Sequence, residues 1–269
     1  MVSGASISIM FTNMIIAVFI PIFLLIAYRK RYGASYKAFF VGCATFAIFA
    51  LVLESGLHML VLNVLPTGKI IQENWILYAL YGGLAAGLFE ETGRFFAMKY
   101  VMRDECEKPY NALMYGAGHG GIEVLLVLGI SMLTNWIYSV MINSGQISVL
   151  LEGLGEADKT AMQGVVDELV SMSPFVFMAA PVERISAVVF HISASVLIWV
   201  AVTKKVKWLY PVAILLHFGL DALAVTMSKL GVPVAILEAV VMAYSILVAV
   251  GTNKYVWKKY ALKTKEVIE

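Results

Sequence analysis

Apolar stretches, broken at intervals by short basic, polar or glycine- and proline-bearing segments, run from one end of the chain to the other. Seven of them reach roughly 20 residues, the length a helix needs to cross ~30 Å of hydrocarbon. They fall at about 6–28, 38–65, 75–98, 110–137, 174–203, 208–228 and 233–253. Hydrocarbon offers no partner to backbone N–H and C=O groups, and a helix pairs them within one segment. The pattern therefore predicts an all-α polytopic bundle of about seven transmembrane helices, forming one integral membrane domain over 1–269. Between the fourth and fifth runs, over about 139–173, the pattern changes. Met162, Val165, Val166, Leu169 and Met172 recur at helical spacing among acidic residues, predicting a short amphipathic helix on the outer surface.

Composition agrees with this reading. The chain has 269 residues, 61% hydrophobic and 14% charged, whereas a soluble domain carries about a quarter charged residues. A soluble globular domain is excluded, and the location expected is the cell membrane, multi-pass. The N-terminus has no basic region before its first apolar run. Arg29, Lys30 and Arg31 follow that run instead, as they do in a retained first span with its N-terminus outside. With that orientation, fifteen of the twenty lysines and arginines fall on inner segments and three on outer ones, which supports N-out, C-in. These basic residues line the inner membrane face, so no nucleic-acid partner is expected. Cys43 and Cys106 are too few and too differently placed for a disulfide framework. The lipid bilayer is the one partner that composition identifies, and nothing in the chain marks an oligomeric state.

The remaining charges lie at membrane depth, where each is expensive and a functional candidate by default. The third run holds Glu90, Glu91 and Arg94; the fourth, His119 and Glu123; the fifth, Glu183, Arg184 and His191; the sixth, His217 and Asp221. Counted at 1.5 Å per residue from the nearest inner basic residue, the carboxylates and imidazoles other than Glu183 lie about 12–22 Å deep on four helices of alternating direction. One slab inside the bundle therefore collects them, with the catalytic core expected over about 75–228. Glu90 with Arg94, His119 with Glu123, and His217 with Asp221 are i,i+4 pairs on one helical face. Gly83, Gly87 and the glycines of "YGAGHGG" permit close helix approach around them.

Histidine and glutamate one turn apart, contributed by several helices, are how a bundle builds a metal site. The candidate ligands are His119, Glu123, His191 and His217. A neighbouring carboxylate, Glu90 or Glu91, would take a proton from water, and Asp221 would orient the His217 ring. Two adjacent glutamates are not expected to face inward together, so one should be the base and the other should pair with Arg94. Glu183 and Arg184 read as a structural ion pair near the outer boundary, and Glu54 with His58 as a packing contact. Without a metal, glutamate could still orient a water and histidine stabilise an oxyanion. The physical rivals are a proton-linked transporter and a catalytically silent scaffold, although no internal repeat of the transporter kind is present.

The motifs "EETGR" at 90–94, "HGGIE" at 119–123, "ERISAVVFH" at 183–191 and "HFGLD" at 217–221 resemble, in that order, those of the CAAX-protease and bacteriocin-processing superfamily. They look closest to the PrsW-like branch and the YhfC-type intramembrane metalloproteases, over spans three to six. The resemblance implies a membrane-embedded endopeptidase acting on a membrane protein or peptide substrate. It implies Glu90 or Glu91 as the activating group, with His119, His191 and His217 as ligands or oxyanion-stabilising groups; zinc is the ion expected of such a donor set where one is bound, and a metal-free glutamate mechanism is the alternative. Glu123 matches the second-motif glutamate of the PrsW-like branch, and His119 the second-motif histidine of the CAAX branch. Two positions depart from the CAAX pattern: Arg94 is the fifth residue of its motif rather than the sixth, and Asp221 stands where asparagine is frequent.

Overall fold

A computed structural model describes residues 1–262, and it is helical almost throughout, with no strand among those residues. The long helices are α1 (Gly4–Tyr32), α2 (Tyr36–Val64), α3 (Trp75–Phe96), α4 (Tyr110–Asn143), α5 (Glu156–Ser171), α6 (Pro174–Thr203), α7 (Leu209–Lys229) and α8 (Val234–Leu262). Six of these, α1, α2, α4, α6, α7 and α8, are long and apolar enough to cross a membrane. At 22 residues α3 is long enough as well, but Glu90 and Glu91 inside it lower its hydropathy.

Contacts between the helix ends show that α3 nonetheless traverses the bundle. The Ser35 N–H donates to Asn111 Oδ1 at 2.8 Å, which places the starts of α2 and α4 at one end. The chain between them must therefore run out along α2 and back along α3. At that same end Tyr32 stacks on Tyr110 with centroids 4.4 Å apart, Tyr110 meets Trp257 at 5.6 Å, and the Trp199 indole donates to the Cys106 carbonyl at 2.9 Å. At the other end Val2 and Asn143 exchange two hydrogen bonds of 2.8 and 2.9 Å. The start of the chain and the end of α8 thus lie at opposite ends of the bundle. Lys263 and Lys265, counted above among the inner charges, lie outside the described residues.

Local signals account for the helix starts. Ser173 accepts from the Phe175 N–H at 3.3 Å with Pro174 as the first helical residue, a position where proline's missing N–H would have had no partner anyway. Asn74 caps α3 by accepting from the N–H groups of Ile76 and Leu77. The amphipathic segment forms α5, with Leu169 turned inward. Burial identifies the central helix: 72% of the apolar window of α6 is buried, against at most 33% in the other five apolar helices.

Glycine sets the spacing of the helices that carry charge. A Cβ on Gly118 would lie 2.0 Å from the Phe39 carbonyl oxygen, so α2 and α4 touch backbone to backbone. Gly83 and Gly87 bring α3 against α7 in the same way, their would-be Cβ atoms 2.7 and 2.8 Å from the carbonyls of Phe218 and Ile214. Phe19, Ile22, Phe40, Leu215 and Leu247 face outward, while Glu91, Arg94 and His119 are fully buried. That inverts the arrangement of a soluble protein and suits a multi-pass membrane protein.

Candidate metal and catalytic centre

The close approach of α3 to α7 and of α4 to α6 brings the expected polar residues into one connected cluster. Glu90 on α3 accepts from His119 Nε2 on α4 at 2.8 Å through Oε2. The same oxygen lies 3.9 Å from His191 Nδ1 on α6, and Oε1 lies 4.0 Å from His217 Nε2 on α7. Glu91 pairs with Arg94 and also accepts from His217 Nδ1 at 2.9 Å. Arg94 donates through Nη2 to His191 Nδ1 at 3.0 Å. A guanidinium can only donate, so this ring carries its proton on Nε2, which sits 2.6 Å from Glu123 Oε2. Glu123 also accepts from Arg184 at 2.7 Å, and Arg184 pairs in turn with Glu183.

Several of these partners differ from those the sequence suggested. Glu90 and Glu91 both face inward, against expectation, because α3 is covered on both sides. One glutamate turns to α4 and the other to α7, and their exposures are 7% and 0%. Glu91, not Asp221, orients His217, since Asp221 Oδ2 stands 3.5 Å from the other ring nitrogen. Arg184 does pair with Glu183, yet it also grips Glu123, so that ion pair is joined to the cluster. Arg94 holds a histidine as well as a glutamate. Glu54 and His58 contact each other at 3.2 Å, and His58 shares a 2.9 Å hydrogen bond with Tyr81, which the sequence did not single out.

Glu90, His119 and His191 are all buried and bring donor atoms within 4.8 Å of one another, so they could hold a metal ion. Of the ligands expected from sequence, His119 and His191 are in this group, while Glu123 and His217 stand beside it. Two imidazoles and a carboxylate are a donor set found at catalytic zinc sites. Electrostatics also fits a cation: among the described residues, the buried carboxylates Glu90, Glu91 and Glu123 face two guanidiniums, Arg94 and Arg184, the second of them shared with Glu183. Unpaired negative charge away from water calls for a cation or for protons. Among the described residues His119 Nδ1 and Glu91 Oε2 are buried with no hydrogen-bond partner, and Glu123 Oε2 makes no well-aligned bond despite its close imidazole.

A cavity of about 220 Å³ opens beside the cluster, lined among others by Glu90, Glu123, Arg184, His191, His217 and Asp221. At ~30 Å³ per molecule it has room for roughly seven waters. His119 lies behind Glu90, away from this space. The arrangement therefore has a sealed side that can hold an ion and a wet side that can hold a reacting group.

The family profile described as YhfC intramembrane metalloprotease matches residues 16–242. A curated relative, the uncharacterized membrane protein YhfC of Bacillus subtilis (strain 168), is 36% identical over 217 residues, covering 81% of this chain and 83% of its own. No solved structure matches the chain.

Proposed function

The chain belongs to the YhfC intramembrane metalloprotease family, and on that footing we propose that it is an intramembrane endopeptidase, hydrolysing a peptide bond of a membrane protein or peptide substrate within the bundle. The observation that carries this reading is the buried Glu90–His119–His191 group bordering a polar cavity. Those three residues would hold a divalent ion, with zinc favoured by the donor set, and a bound ion there supplies Lewis acidity and lowers the pKa of water. The order of the four motifs also supports kinship with the CAAX-protease and bacteriocin-processing superfamily and its PrsW-like branch.

The other residues divide the proton work. Asp221 is the cavity carboxylate best placed to take a proton from the attacking water. Its side chain is 36% exposed, against 10% for Glu90 and 12% for Glu123, while Glu183, at 42%, is tied up by Arg184. His217 is fixed by Glu91 through Nδ1, which turns Nε2 to the cavity. With the ring doubly protonated, its Nε2–H can hold the developing oxyanion and pass that proton to the departing amine. Arg94 pairs with Glu91 and holds it in place, so the chain of contacts reaches His217 from behind.

One observation favours a second reading, in which Glu90 itself is the base and no ion is needed. Its Oε2 already accepts from His119, and its Oε1 faces His217 Nε2 at 4.0 Å, a gap that a water can bridge. Arg94 occupies His191 Nδ1 in this arrangement.

The test is cleavage of a fluorogenic peptide library by purified protein in lipid nanodiscs. His217→Gln and Asp221→Asn should each lower kcat by about 10²–10³-fold without changing the thermal transition. Equal rates in wild type and both variants would overturn the assignment.

A further inference from the structure

A second depression runs along the outside of the bundle between α6 and α8, with a volume of about 550 Å³. Phe175, Met178, Val182, Met242 and Ile246 make its walls apolar, and Glu238 lies among them. Glu238 is only 8% exposed, and its Oε2 is buried with no hydrogen-bond partner. A lone buried carboxylate oxygen is costly to leave unpaired, and lipid acyl chains offer it no donor. The residue is therefore unexplained by packing within the described chain.

The groove adjoins the cavity described above. Val182 lines the groove while Glu183 and Arg184, the next two residues, line the cavity. On α8, Glu238 and Met242 face the groove while Val241 faces the cavity. Arg184 is already held by Glu123 and Glu183, so the seam between the two spaces has an excess of negative charge. Glu238 lies about 6 Å from the start of α8, counted at 1.5 Å per residue, within reach of a long basic side chain extending toward the membrane surface.

We infer that this groove receives the apolar segment of the peptide substrate, and that Glu238 pairs with a lysine or arginine on that segment before it enters the cavity. The inference rests on the proteolytic reading for the word substrate, but it makes a claim about binding that can be measured without turnover. The shape is suited to an extended or helical apolar chain, the carboxylate to a cation, and the shared wall to transfer from one space to the other.

The test uses the full chain in phosphatidylcholine nanodiscs and two labelled synthetic peptides of Leu and Ala. One carries a single lysine near one end, and the other has leucine in its place. The lysine peptide should bind wild type about tenfold more tightly than Glu238→Gln, as expected for loss of a charge-assisted hydrogen bond. The leucine peptide should bind both alike, and Ala239→Trp, which fills the groove, should weaken both peptides. Equal affinity of the lysine peptide for wild type and Glu238→Gln, both folded by their thermal transitions, would overturn the inference. So would loss of the discrimination when phosphatidylethanolamine replaces half of the lipid, since the carboxylate would then be serving a lipid amine. Binding that follows this pattern without any cleavage would count against the proteolytic reading and leave the groove assignment standing.

Discussion

At the scale of single residues, the centre depends on Arg94. It is fully buried, pairs with Glu91 and donates to His191, so it links the glutamate behind His217 to a member of the metal-binding group. Removing one partner of a buried ion pair leaves the other charge uncompensated, at a cost of about 3–5 kcal/mol. Arg94→Met should lower stability by that amount in a detergent melt. Arg94→Met combined with Glu91→Leu should recover part of the loss, because the orphaned carboxylate is gone. No recovery in the double variant would place the cost in lost packing rather than in charge. The residue types at this centre were legible in the chain, since charges in apolar runs stand out. Their partners were less so: spacing within a helix identifies i,i+4 neighbours, and most bonds here cross between helices. His217 illustrates this, its neighbour in sequence being Asp221 and its hydrogen-bond partner Glu91.

At the scale of elements, glycine contacts set the helix spacing that lets those bonds form. Any side chain at Gly118 would collide with the backbone of Phe39, whereas a Cβ on Gly82 meets nothing within 4 Å. Gly118→Ala should therefore destabilise by about 1–3 kcal/mol through overpacking, with loss of activity as His119 is displaced. Gly82→Ala should be neutral or stabilising by up to ~1 kcal/mol, from helix propensity alone. Similar melts for the two variants would contradict the account of the α2–α4 contact. Helix positions followed well from hydropathy, and α6 was read to the residue because Ser173–Pro174 and Lys204 punctuate it. The end of α4 was read short, at about 137, because polar Asn143 and Ser139 lower hydropathy while the helix continues to Asn143.

At the scale of the whole molecule, the helix-end contacts put the start of the chain and the end of α8 at opposite ends of the bundle. The basic residues assign the α8 end to the inner side, so the expected orientation is N-out, C-in. Thr160→Cys on α5 should react with an impermeant maleimide in intact cells, and Lys207→Cys only after permeabilisation. Native Cys106 should stay silent in both conditions, because burial pushes its thiol up to about 12. The reverse labelling pattern would invert the topology. The central claim is that Glu90, His119 and His191 hold a divalent ion beside a cavity where His217 acts. Elemental analysis of protein purified without chelator tests it most directly, comparing wild type with His119→Ala, His191→Ala and His217→Ala. The account predicts about one divalent ion per chain in wild type and His217→Ala, and little in the other two while they remain folded. A metal-free wild type, or an ion retained in His119→Ala and His191→Ala, would contradict it.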